Sequence, residues 1–161
     1  MIATLTELRE IAARVTDPEI PVLTIADLGI LRDVEVEDGT VVVTITPTYS
    51  GCPAMDAITE DLGIVFKDSG YDSVRVNLVL SPAWSTDWMT ESGKAKLQAY
   101  GIAPPTGTGH RGPVTLGMAV KCPQCHSLNT KELSRFGSTS CKSMYQCKDC
   151  LEPFDYFKVL S

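Results

Sequence analysis

Five of the six cysteines lie in the last forty residues, and four of them form two pairs, Cys122-Pro123-Gln124-Cys125 and Cys147-Lys148-Asp149-Cys150. Two residues between paired thiolates let a tight turn aim both sulfurs at one tetrahedral ion about 2.3 Å away, and two such turns complete a four-sulfur shell. The 21 residues between Cys125 and Cys147 are enough for a β-ribbon. A segment this short buries little apolar surface by itself, so a metal is the expected source of its stability. Structural Zn2+ is the leading occupant, and an iron-sulfur cluster is the competing one because it uses the same four thiolates.

Disulfides are the other use for six cysteines. Residues 1–7 lack the basic stretch followed by an apolar core that marks a secretory signal. A cytoplasmic chain is therefore expected, where paired cysteines serve metals more often than cystines. No apolar run reaches membrane-spanning length, so no membrane partner is expected. Zinc ribbons often bind nucleic acid, but residues 1–100 carry seven Lys/Arg against sixteen Asp/Glu, a net charge of −9. Residues 114–161 carry six against four, net +2. An acidic body lacks the basic face needed to displace counterions from phosphates, so nucleic acid is not an expected partner.

The first hundred residues read as an α+β domain. Thr4 and Glu7 fit a capping box, and Leu5, Leu8, Ile11, Ala12 and Val15 recur at helical spacing up to Asp17-Pro18. Alternation over residues 32–37, the Asp38-Gly39 hairpin signal and the β-branched run 40–46 predict two antiparallel strands. Val34, Val36, Val41, Val43 and Ile45 should face one core. Pro53 suits the first helical position, and Met55, Ile58, Leu62 and Val65 form a stripe ending near Gly70. Val74, Val76, Leu78 and Leu80 alternate as a third strand, and residues 86–100 read as a third helix stopped by Gly101. Trp84 and Trp88 lie four residues apart, so on a helix they would share a face, as core or as an aromatic anchor. The expected order is α-β-β-α-β-α, a two-layer domain on a short mixed sheet over residues 1–100, with a linker at 101–113 and a zinc β-ribbon at 114–161.

Cys52 stands apart from the tail, where a strand should give way to a helix. As the N-cap before Pro53, its sulfur would meet unpaired N–H groups and the positive end of the helix dipole, which favour thiolate. A half-buried residue filling a turn is the plainer reading. Asp17 and Glu19 flank Pro18 in a second rigid, charged segment; they could cap a turn or join Cys52 around a metal. In the tail, Cys141 is one thiol more than a tetrahedral site needs: it is spare, or Lys142 beside it makes it reactive. His126, next to Cys125, could substitute as a ligand but is expected on the surface.

Asp17-Pro18-Glu19, Asp27-Leu28-Gly29 and Thr48 through Gly51-Cys52-Pro53 resemble the signature of SufT-type iron-sulfur assembly factors, over roughly residues 5–100. The stretches 84–89, 101–105, 136–142 and 152–158 extend the resemblance over nearly the whole chain, to the PaaD (PaaJ) family of the phenylacetate degradation cluster. That resemblance implies an accessory role with the multicomponent phenylacetyl-CoA epoxidase, aiding iron or cluster delivery to its oxygenase or its reductase. It implies that Cys52 is the functional cysteine, with Thr48, Asp17 and Glu19 around it and a transient iron or iron-sulfur cluster as cargo. Other iron-sulfur assembly proteins are implied partners, and two copies each giving one Cys52 could bridge a labile cluster in a homodimer.

The chain is not expected to be an enzyme. It lacks paired Glu-x-x-His helices and a dinucleotide fingerprint, and it has two histidines. Two alternatives remain: a docking or structural subunit of the epoxidase without metal transfer, and a thiol oxidoreductase pairing Cys52 with Cys141, which lacks a Cys-x-x-Cys partner for Cys52.

Overall fold

The computed structural model describes residues 3–49, 51–105, 120–137, 139 and 141–158. The chain divides into two compact units, Met1–Trp84 and Ser85–Ser161. No helix of the described residues is long and apolar enough to cross a membrane.

In the first unit, α1 (Leu5–Ala12) starts at the expected box: the Glu7 N–H donates to Thr4 Oγ1 at 3.2 Å, and the Thr4 N–H donates to Glu7 Oε2 at 2.7 Å. The helix stops at Ala13, short of Asp17-Pro18, because residues 13–30 fold into a buried loop. Thr16 and Thr24 bridge across it, and Ile20, Leu23, Ile25, Leu28 and Ile30 are all buried. The loop contains a four-residue helix, α2 (Ile25–Leu28), with its own capping box from Thr24 and Asp27 and a left-handed Gly29 at its end.

Strands β1 (Leu31–Glu37) and β2 (Thr40–Ile45) pair antiparallel, joined by Asp38 and Gly39 at φ 48° and 80°. Two consecutive left-handed residues give the turn twist that suits a two-residue hairpin. Helix α3 (Ala54–Asp68) then crosses over to β3 (Val74–Leu78), which lies parallel to β2. The sheet order is β1-β2-β3, so β2 is central and its Val41, Val43 and Ile45 are buried.

Helix α1 packs on β1, α3 packs on β3, and the two helices pack on each other; Leu8, Ile11, Ile58, Leu62 and Phe66 are buried, as are Val34 and the β2 residues. Each such side chain stabilises the unit by roughly 1.5–3 kcal/mol. Phe66, one turn beyond Leu62, fills the core position expected of Val65, which is only half-buried. Val36, expected to face the core, is instead exposed at 51%, and Leu78 and Leu80 of the alternating third-strand stretch are exposed at 53% and 60%. Val36 and Leu78 lie on edge strands and Leu80 lies beyond the end of β3, so the alternation that marks a strand does not guarantee a covering layer.

The expected third helix is broken. A single 3₁₀ turn (Thr86–Trp88) ends at Met89, whose backbone is extended, and Thr90 caps a new helix, α4 (Glu91–Tyr100), by accepting from the Gly93 N–H at 2.9 Å. Trp84 precedes the turn, so it shares no helical face with Trp88. It is buried in the first unit, donating from Nε1 to the Leu28 carbonyl at 2.8 Å.

Gly101, at φ 95°, ends α4 as expected. The next two residues, read as linker, form a short strand instead, β4 (Ile102–Ala103), because both are apolar and pair with Asp155 and Tyr156. Residues 106–113 of that expected linker lie outside the described residues. The second unit is completed by β5 (Thr130–Ser134), β6 (Lys142–Cys147) and β7 (Pro153–Phe157), giving a sheet in the order β4-β7-β6-β5. Its core joins Ala103, Val120, Phe154 and Tyr156 to Cys122 and Cys147, with Tyr145 packed against it.

Candidate functional site

The four tail cysteines sit at the ends of the ribbon strands. Cys122 and Cys125 precede β5, while Cys147 ends β6 and Cys150 stands in the turn to β7. The two knuckles close alike: the Cys122 N–H donates to the Ser127 carbonyl at 2.9 Å, and the Cys147 N–H donates to the Glu152 carbonyl at 3.0 Å. The residue after each second cysteine takes a left-handed backbone, His126 at φ 63° and Leu151 at φ 64°. His126 thus serves the turn through its backbone, and its side chain is exposed, as expected.

The four sulfurs all lie within 4.8 Å of one another. Cys122 Sγ is 3.8 Å from Cys150 Sγ, and Cys125 Sγ is 3.5 Å from Cys147 Sγ. Four sulfurs around a tetrahedral ion at zinc–thiolate distance are about 3.8 Å apart. Donor set and spacing therefore fit a closed four-thiolate metal centre. Cys122 and Cys147 are fully buried, and Cys125 and Cys150 are exposed.

The electrostatics need a cation. The Cys150 and Asp149 N–H groups bring the Cys147 thiol down to about 7. Cys150 is pushed up to about 12 despite the Glu152 N–H, by partial loss of solvent around the sulfur and by its neighbouring sulfurs. Four adjacent thiols cannot all ionise alone, whereas a divalent ion makes every thiolate favourable. Beside them, the Ser127 hydroxyl and the Asn129 amide hold the Asp149 carboxyl below its usual range.

Cys141 stands outside this group. It is buried, with its Sγ 2.9 Å from Thr139 Oγ1, and its neighbour Lys142 is buried as well.

The second cluster gathers at the end of β2. The loop turns back on itself, with the Cys52 N–H donating to the Tyr49 carbonyl and the Met55 N–H to the Cys52 carbonyl, each at 3.3 Å. Pro53 is itself the N-cap of α3, in α-helical conformation, so Cys52 lies one residue before the cap and not at the cap position expected of it. Its thiol is not activated at rest: burial pushes it up from its ordinary 9.0, outweighing hydrogen bonds from the Ala54 N–H and the Tyr49 and Thr48 hydroxyls. The Glu19 carboxylate adds to the rise, which places that charge near the sulfur. Iodoacetamide should therefore modify Cys52 slowly at pH 7.5, with the rate climbing about tenfold per pH unit up to pH 9 as thiolate accumulates. Peptide mass spectrometry at Cys52 reads this directly, and a rate already level near pH 7 would contradict it.

Of the other expected site residues, Thr48 and Glu19 are brought to Cys52, and Asp17 is used differently. Asp17 is buried, and its Oδ1 accepts from the Glu19 N–H at 2.7 Å and the Ile20 N–H at 3.0 Å. It shapes the turn that presents Glu19. Tyr49 was missed by sequence reasoning; its nearness to Cys52 in an irregular segment was the available signal. The cluster thus offers one thiol, hydroxyl donors and a carboxylate, a sparse and mixed set beside the closed four-sulfur shell.

Comparison with known proteins places both halves. Residues 6–78 match the family described as iron-sulfur cluster assembly protein, and residues 109–158 match the PaaD zinc beta ribbon domain. The chain is 46% identical over 154 residues to an Escherichia coli (strain K12) protein named as a component of a "Putative 1,2-phenylacetyl-CoA epoxidase", covering 96% of this chain and 92% of that one. It is 41% identical over 85 residues to an Fe-S protein maturation auxiliary factor of Porphyromonas gingivalis, covering 52% of this chain and 80% of the relative. A crystal structure of a DUF59 domain from Bacillus anthracis superposes with a TM-score of 0.54 at 30% identity, over 58% of this chain and 90% of that one. An assembly-type domain carrying Cys52, followed by a four-cysteine PaaD ribbon and matched almost end to end by the Escherichia coli epoxidase component, assigns the chain to the PaaD family.

Proposed function

We propose that this protein is an accessory factor of a phenylacetyl-CoA epoxidase in aerobic phenylacetate catabolism, delivering iron or an iron-sulfur cluster to the oxygenase or its reductase. The cargo is held through Cys52, with Glu19 and Thr48 beside it, while the ribbon holds a resident zinc ion and docks the client. The observation that carries this reading is the contrast between the two sites. Four thiolates at tetrahedral spacing make a closed, chemically quiet centre. Cys52 offers one sulfur with a carboxylate near it, too few ligands to hold iron firmly, which suits a cargo that must leave. The protein itself transforms no substrate in this role. The relatives support it by name, one as an epoxidase component and others as iron-sulfur maturation auxiliary factors.

The test is the metal and acid-labile sulfide content of anaerobically purified protein. A single zinc ion per chain is expected in both the wild type and Cys52→Ser, with iron in the wild type alone. Equal iron in the two proteins would remove Cys52 from the carrier site.

A further inference from the structure

We propose that Asp149 is a positioning residue of the ribbon's metal centre, locking the two cysteine knuckles together from outside the sulfur shell. The proposal rests on reading the four thiolates as a zinc site. Asp149 stands inside the second knuckle, between Cys147 and Cys150, whereas Ser127 and Asn129 follow the first. The Ser127 hydroxyl donates to Asp149 Oδ2, and Asn129 Nδ2 donates to Oδ1 at 3.0 Å, so both carboxylate oxygens are engaged across the gap. The Asn129 N–H donates to Ser127 Oγ at 3.0 Å, leaving the hydroxyl proton for Asp149. A backbone bond runs in parallel, from the Lys148 N–H to the Asn129 carbonyl at 2.8 Å.

This bridge ends on the ligands. The Ser127 N–H points to the Cys125 sulfur and the Asp149 N–H to the Cys147 sulfur, the two sulfurs that lie 3.5 Å apart. A continuous path therefore runs from one knuckle's sulfur through amide, hydroxyl, carboxylate and amide to the other's. The β5–β6 ladder reaches only Thr130 opposite Cys147, so the first knuckle lies beyond it. Metal loss begins when one thiolate lets go, and Cys125 and Cys150 are the exposed sulfurs where a competing chelator attacks. Holding the knuckles together opposes that first step. Outer-shell partners of this kind are typically worth 10–100-fold in metal affinity.

The experiment follows zinc release from the full chain into an excess of a chromogenic chelator. Asp149→Ala should release zinc about tenfold faster than wild type. Asp149→Asn keeps the side chain's size and one acceptor oxygen, so it should fall between them even if the alanine variant folds poorly. Glu132→Gln removes the same charge from an exposed position on β5, outside both knuckles, and it should release zinc at the wild-type rate. Ser127→Ala combined with Asp149→Ala should be no faster than Asp149→Ala alone, because both cut one bridge. Wild-type release rates in both Asp149 variants, or an equal acceleration by Glu132→Gln, would overturn the proposal, the latter by reducing it to loss of charge. A wild-type chain that takes up no zinc would overturn the centre itself, an outcome distinct from failure of the bridge.

Discussion

Cys147→Ser should leave the ribbon unfolded. Cys147 is fully buried, it ends the central strand β6, and with Cys122 it forms part of the second unit's small core as well as the metal shell. Apparent binding free energies of structural zinc are about 10–16 kcal/mol at neutral pH, as large as the whole stability of an ordinary domain, about 5–15 kcal/mol. The remaining contacts, Tyr145 stacked on Phe154 and edge-on to Tyr156, cannot replace that contribution. Limited proteolysis with mass mapping should show new cleavage within residues 120–158 in the variant, and equally in wild type stripped by a strong chelator. Unchanged protection after complete metal removal would mean that the thiols hold no structural ion.

Cys52→Ser should have the opposite profile, with loss of function and little loss of stability. A serine oxygen can still accept from the Ala54 N–H and the Tyr49 and Thr48 hydroxyls that surround the sulfur, so no buried donor is orphaned. The stability change should stay within about 1–2 kcal/mol. What disappears is the soft sulfur that iron and its clusters require, since a neutral hydroxyl is a poor ligand for either. In a strain that depends on this chain, epoxidase activity should fall to the level seen without it. Thermal unfolding of the purified variant should separate this loss from misfolding.

The sequence revealed most where local chemistry alone decides the structure. The Thr4–Glu7 box, the Asp38-Gly39 turn, the stop at Gly101 and the two knuckles are each built by residues a few positions apart, and all are present. Structure was obscured where distant contacts decide. The loop over residues 13–30 has no helical or strand period, yet it buries five large aliphatic side chains. Ile102 and Ala103 look like linker until β7 offers them a partner more than fifty residues later. The break at Met89 is local in its Thr90 cap, but helical spacing across residues 86–100 masked it.

Within the candidate site, residue identity was legible and environment was not. Cys52 stands out by its place before Pro53, and helix-terminus logic makes it an activated thiolate. Burial reverses that, because desolvation of the sulfur outweighs the donors around it. Asp17 and Glu19 looked equivalent in sequence. In the fold Asp17 spends its carboxylate on two backbone N–H groups, and Glu19 is the one whose charge reaches the thiol. The Asp149 bridge was invisible because its three residues belong to two knuckles about twenty positions apart.

The most direct measurement is the iron bound to epoxidase oxygenase and reductase isolated from cells in which this chain is wild type, Cys52→Ser or deleted. Delivery through Cys52 predicts full iron with wild type and the same iron-depleted client with Cys52→Ser as with the deletion, while the variant itself retains its zinc. Full iron in both client components from Cys52→Ser cells would contradict delivery through this residue.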